Sequence, residues 1–275
     1  MFFAPVYRTQ DLAEEFERIG LRQGDSVVLH SSLKSIGNTA DGAATVVDAL
    51  LQVTGRSGNI RVPTYTYNLV IWNTEPYDHY STRSRVGVIT EEARSRARAQ
   101  RSFHPSHSVT VIGPEAAAIT SNHLHSTPIG RGSPLDRMRQ RGAKILMLGT
   151  CQDTNSSLHL AEVLAGLPYV AVAFQDEMDY ETGWFYNENR QVEYVPLHEF
   201  PGCSRGFRKI EYPLRERGVL HDVRVGNAAS QLLDMRSLCH AAEEILQRDP
   251  TLLLCEVQNC AICPRRRAYM NKVMV

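Results

Sequence analysis

Along the first half of the chain, apolar positions switch repeatedly between helical spacing and short continuous runs. Leu12, Phe16 and Ile19 recur at helical spacing between Thr9, a capping residue, and Gly20, which predicts an amphipathic helix over residues 11–19. Ser26-Val27-Val28-Leu29-His30 reads instead as a buried strand whose end carries His30, Ser31 and Ser32. Val46, Val47, Leu50 and Leu51 mark the buried side of a helix over 43–53, and residues 59–66 form the next strand with a polar end. Strand, helix and strand within about forty residues predict a βαβ unit, with polar residues at the carboxyl ends where open sheets place their ligands.

The pattern continues with a polar, aromatic loop over 68–85 containing Trp72, Tyr77 and Tyr80, then helices over 88–98, 114–120 and 135–140 around a strand at 109–113. Ile145-Leu146-Met147-Leu148 is another buried strand, closed by Gly149, and residues 156–165 are helical. After Pro168 the pattern changes: 169–174 and 191–195 are expected to be strands joined by an acidic segment, forming a hairpin. A strand over 220–225 and helices over 228–233 and 237–247 follow. The expected fold is α/β, a mixed central sheet flanked by helices with a small antiparallel extension in the C-terminal half. One domain is expected over 1–275, with 169–200 as the antiparallel insertion.

Composition narrows the function classes. Thirty Lys and Arg balance thirty Asp and Glu, so no net charge points to nucleic acid or a membrane surface. No apolar run approaches the roughly 18 residues of a membrane span, and the N-terminus turns polar too early for a secretory signal, so a cytoplasmic protein is expected. Six cysteines in 275 residues do not make a disulfide scaffold, and reduced thiols are the default.

Candidate chemistry follows. His159 and Glu162 lie three apart on one helix, within side-chain reach, and a carboxylate beside an imidazole fixes its tautomer and stabilises its protonated form. By spacing alone such a pair is more often a surface or core pair than a catalytic one. Asp176, Glu177 and Asp179 belong to an acidic run that would either face water or attract a polycation. Cys255, Cys260 and Cys263 end in half of a zinc ribbon. Without its second half or a nearby His no metal is expected, although a non-catalytic zinc-containing binding protein stays an alternative. No Gly-x-Gly-x-x-Gly fingerprint lies between the first strand and its helix, and nucleophilic transfer through Cys151 or a serine is the runner-up to direct transfer.

Five segments, GDSVVLHSSLKSIG, GNIRVPTYT, RSFHPSHSVTVIGPEA, GRGSPLDRM and KILMLGTCQDTNSSLHLAE, resemble in this order the aminoglycoside 3-N-acetyltransferase family, antibiotic acetyltransferases distinct from the GNAT fold. The nearest approach to the GNAT pyrophosphate loop, Arg139-Gln140-Arg141-Gly142-Ala143-Lys144, ends in the wrong residue. The resemblance implies an acetyl-CoA-dependent enzyme acting on a small-molecule amine, an aminoglycoside, with His159 as general base and Glu162 as its orienting carboxylate. It implies that His30, Ser31, Ser32, Leu33 and Thr64 border the acetyl-CoA channel with Ser133 nearby. His104 would position substrate or coenzyme without being the base, and Asp153 and Asn155 would line the same pocket. Another amine from a biosynthetic pathway, or a different aminoglycoside position, is the alternative substrate.

Overall fold

The computed structural model describes residues 5–72, 74–174 and 181–273. In chain order the first elements are β1 (Val6–Tyr7), α1 (Thr9–Arg18), β2 (Ser26–Ser31), α2 (Leu33–Ile36), β3 (Asn38–Thr39), α3 (Ala43–Thr54) and β4 (Asn59–Pro63). There follow α4 (Tyr67–Trp72), α5 (Val88–Arg94), β5 (Ala99–Arg101), β6 (Val109–Ile112), α6 (Ala116–Thr120), α7 (Pro134–Gln140), β7 (Lys144–Leu148) and α8 (Ser157–Leu164). The C-terminal part contributes β8 (Glu181–Tyr186), β9 (Val192–Leu197), α9 (Glu211–Glu216), β10 (Leu220–Val225), β11 (Ala228–Asp234), α10 (Met235–Arg248) and α11 (Cys263–Val273).

A seven-stranded sheet in the order β10-β11-β7-β2-β4-β6-β5 carries the fold. The βαβ unit predicted from β2, α3 and β4 is present, because β2 pairs parallel with β4, and on its other side parallel with β7. The outer strands are antiparallel, which makes the sheet mixed. Successive side chains of a strand point to opposite faces, and the core divides accordingly. Val28, Ile145 and Met147 pack with Leu158, Leu160 and Ala161 of α8 and with α10, whereas Val27, Leu29, Leu146 and Leu148 pack with α1 and α3. His30 shares the face of Val28 by this period, the face that α8 covers.

Three expectations fail. The loop expected over 68–85 opens with the helix α4. Residues 228–233, read as helical, form β11, paired in register with β10 across a Gly226-Asn227 turn and with β7 on the other side. A two-residue Gly-Asn loop between two short segments is a hairpin signal that outweighs the weak helical preference of Ala-Ala-Ser-Gln-Leu-Leu. Residues 169–174 are not a strand: Pro168–Ala171 is a 3-10 turn, since proline at its start suits the first position of a helical turn. The antiparallel extension is real but built from Glu181–Tyr186 and Val192–Leu197.

Candidate active site

Three adjacent parallel strands, β7, β2 and β4, end on one edge of the sheet, and the antiparallel β6 begins there. The chain leaving β7 turns at Gly149, whose φ of +67° suits glycine and where a Cβ would come within 2.5 Å of Ser35 Cβ. It then passes through Cys151 to Asn155 into α8. Asn155 starts the helix by accepting the backbone N–H of Ser157 on Oδ1 at 2.9 Å, while its Nδ2 donates to Gln152 Oε1 at 2.8 Å. Between the strand ends and α8 opens a cavity of about 460 Å³, within the range that takes small-molecule ligands.

His30, Ser31, Tyr65, His107, Thr150, Asp153, Asn155 and His159 line one side, and Phe174 with Phe200 to Arg205 lines the other. His159 Nδ1 lies 2.7 Å from Glu162 Oε2, and the second carboxylate oxygen, Oε1, accepts a hydrogen bond from Tyr169 at 2.7 Å. The carboxylate accepts at Nδ1, so the ring proton sits there and Nε2 is left with a lone pair for a substrate proton. Tyr169 is fully buried, with Arg266 over its ring at 5.5 Å, and burial followed by the Glu162 charge holds its phenol protonated. The edge of Phe207, 4.6 Å between ring centroids, closes the other flank of the imidazole.

The other histidines differ. Burial, with a smaller contribution from the Arg61 guanidinium, holds His30 down to about 3. His107 and His104 are pushed well below their ordinary value by burial first and neighbouring histidines second. His123 is held to about 3 by burial, its Nε2 donating to the Pro128 carbonyl and its Nδ1 accepting from Ser102. All four rings are therefore neutral at physiological pH.

The cavity brings together His30, Ser31, Asp153, Asn155 and His159, with Glu162 directly behind His159. Ser31 Oγ, His30 Nε2 and Thr150 Oγ1 are buried without hydrogen-bond partners among the described residues. The other residues implied by the resemblance lie outside the lining. Ser32 accepts from Ser35 at 2.9 Å and gives its N–H to the Leu148 carbonyl, and Leu33 packs on the opposite core. Thr64 donates to the Ser108 carbonyl at 3.0 Å, and Ser133 caps α7 through the Asp136 N–H. His104 is buried one layer back, its Nδ1 accepting the N–H groups of Ser106 and His107. Asp176, Glu177 and Asp179 lie outside the described residues.

Three site residues escaped the sequence reading. His107, not His104, reaches the cavity, ring-packed on Tyr65 at 4.8 Å. The motif His104-Pro105-Ser106-His107 offered both, with nothing local to choose between them. Tyr65 lies within the strand predicted over 59–66 but beyond the end of β4 at Pro63, and it donates to Ser156 at 3.0 Å. Tyr169 was hidden inside the strand wrongly expected at 169–174.

An imidazole held by a carboxylate that also accepts a hydrogen bond from Tyr169 stands at a strand-end cavity of a mixed α/β sheet, an arrangement able to take a proton from a bound nucleophile. A sequence profile of the aminoglycoside 3-N-acetyltransferase family matches residues 28–247, and the chain belongs to that family. It is 29% identical over 181 residues to aminoglycoside N(3)-acetyltransferase III of Serratia marcescens, covering 58% of this chain and 65% of that protein. Identity to aminoglycoside N(3)-acetyltransferase VII of Streptomyces paromomycinus is 30% over 259 residues, covering 85% and 89% of the two chains. Among solved structures, a histidine-to-alanine variant of aminoglycoside acetyltransferase AAC(3)-IVa in complex with gentamicin superposes with a TM-score of 0.85 at 25% identity, over 98% of this chain and 99% of that one.

Proposed function

We propose that this enzyme transfers the acetyl group of acetyl-CoA directly to an amino group of an aminoglycoside, with His159 as the general base. The observation that carries the reading is the hydrogen-bonded chain from Tyr169 through Glu162 to His159 at the cavity wall. An aliphatic amine is mostly protonated at neutral pH and must lose a proton before it can attack a thioester. His159 Nε2 takes that proton, and Glu162 stabilises the imidazolium.

As the amine adds, negative charge develops on the thioester oxygen. Ser31 Oγ, buried and without a partner among the described residues, suits the donor that meets it. The Ser32 N–H does not, because it is bound to Leu148 O at 2.9 Å. Collapse of the adduct then breaks the carbon–sulfur bond, and the proton lost by the attacking nitrogen balances the one taken up by the departing CoA thiolate. Acetyl-CoA lies along the β2 end at His30 and Ser31, while Ser32, Leu33, Thr64 and Ser133 hold that edge in place from behind. Asp153 supplies the carboxylate facing a cationic substrate.

Cys151 argues against an acetyl-enzyme. Its thiol donates to Asp153 at 2.9 Å, and burial together with that carboxylate pushes its pKa up to about 11, leaving little thiolate. A cytoplasmic setting is supported by six cysteines that form no disulfide and by a co-substrate made inside cells. No helix among the described residues is long and apolar enough to cross a membrane.

A thiol-release assay with acetyl-CoA and a panel of aminoglycosides tests the proposal, with product mass and NMR giving the acetylated position. Turnover only with unrelated amines would move the enzyme to a biosynthetic role. Retained neutral-pH turnover in a folded H159Q variant would sink the base assignment.

A further inference from the structure

The three cysteines that ended the sequence without a fourth ligand acquire one in three dimensions. Cys203, from the loop ahead of the 3-10 turn Phe207–Ile210, meets Cys255, Cys260 and Cys263, and the four sulfurs all lie within 4.8 Å of one another. Cys203 Sγ and Cys255 Sγ are 3.8 Å apart. That is far beyond the ~2.05 Å of a disulfide. It matches the edge of a sulfur tetrahedron around zinc, where bonds of about 2.3 Å separate the sulfurs by roughly 3.8 Å.

The surroundings also suit thiolates. The backbone N–H of Arg205 points at Cys203 Sγ and that of Cys255 at Cys263 Sγ, both at 3.4 Å, which is how outer groups support metal-bound sulfur. Lys209 and Arg267 hold the Leu254 carbonyl at 3.3 Å, and Arg267 also holds that of Cys255, placing two cations beside a site of net negative charge. Gly206 lets the two ligand-bearing segments touch, for a Cβ there would lie 2.3 Å from Leu253 O and 3.0 Å from Cys255 N.

We propose that Cys203, Cys255, Cys260 and Cys263 bind one structural zinc ion, and that this ion fixes the cavity wall formed by Phe200 to Arg205 against the start of α11. Cys203 belongs to both the sulfur cluster and the cavity lining. Next to it, Arg266 of α11 donates to the Phe200 carbonyl at 3.0 Å, so sulfur–metal bonds and a hydrogen bond join the same two segments. The four ligands leave no open position on a tetrahedral ion, and the zinc takes no part in acetyl transfer.

The experiment uses the full chain, purified without chelator or added metal. Elemental analysis is expected to give one zinc per chain, falling at least fivefold in C260S and kept in C260H, which restores a ligand. Cobalt added to the reduced, metal-stripped protein should give the intense visible bands of a tetrahedral thiolate site. Less than a tenth of a metal per chain in both measurements overturns the site. So does a count of fewer than six thiols in denatured, chelator-treated protein, which would mean disulfides.

The role in the wall is read by hydrogen exchange. Stripping the metal should accelerate exchange at least tenfold in residues 200–207 and leave β2 and β7 unchanged, and equal exchange in both forms overturns that role. On the proposed acetyltransferase reading, KM for the amine should also rise about tenfold with KM for acetyl-CoA unchanged. The metal count and the exchange data decide the site even if no aminoglycoside is a substrate.

Discussion

His30 at the end of β2 and His159 in the first turns of α8 line the same cavity, and both rings are buried. Their partners are opposite. His30 has a guanidinium in its field and an Nε2 with no partner among the described residues, and it stays neutral down to a pH of about 3. His159 has the Glu162 carboxylate at 2.7 Å, itself anchored by Tyr169. Burial beside a guanidinium leaves His30 a neutral wall of the pocket, whereas His159 is oriented by an anchored carboxylate that can offset the charge of an imidazolium. That difference, more than the presence of several histidines at one edge, is why the proposed base is His159.

Substitutions separate the two roles. The largest effect is expected for H159Q, a fall in kcat of about 10²–10⁴-fold with KM for acetyl-CoA little changed. E162Q is expected to cost about 10²-fold, because an amide in place of the carboxylate permits the wrong ring tautomer and cannot offset the imidazolium charge. Y169F removes one hydrogen bond to a charged group and should cost about tenfold, or ~1.4 kcal/mol of barrier. If E162Q and Y169F leave both kcat and its pH profile unchanged, the anchored carboxylate is not what distinguishes His159.

For His30 the effect is on stability. Its folded pKa lies below its unfolded value of 6.5, so the unfolded chain binds the proton first as pH falls. The contribution of a neutral His30 is fully present above the unfolded value and is lost progressively from about 6.5 down to about 3. In that window His30 should steepen the loss of unfolding free energy by about 1.4 kcal/mol per pH unit. Urea unfolding of wild type and H30Q at several pH values reads this, and identical slopes would show that His30 is not held neutral. The smallest effect is expected for C151A: unchanged turnover, and no acetyl-enzyme by mass spectrometry in either protein.

The alternating core of β2 and β7 and the helical stripes of α1 and α3 were legible because side-chain direction follows from local periodicity. The His159 and Glu162 pair was legible for the same reason, since residues three apart on a helix are neighbours whatever the rest of the chain does. The pair's meaning was not. Its spacing is common in ordinary helices, and only the resemblance of five segments in register, followed by the cavity and Tyr169, supports the proposal that it is catalytic.

What the sequence by itself determined about this protein was the βαβ core, the strand-end placement of polar residues and the helix carrying His159. Tertiary structure decided the rest. Residues 228–234 carry a weak helical preference of their own, and the Gly226-Asn227 loop together with pairing to β10 and β7 makes them a strand. His107 rather than His104 reached the cavity because of how the chain turns into β6. Cys203 joined Cys255 across 52 residues of sequence. Helical neighbours are set by the geometry of a single turn, whereas strand pairing and a four-sulfur cluster depend on which distant segments the fold brings within a few ångströms.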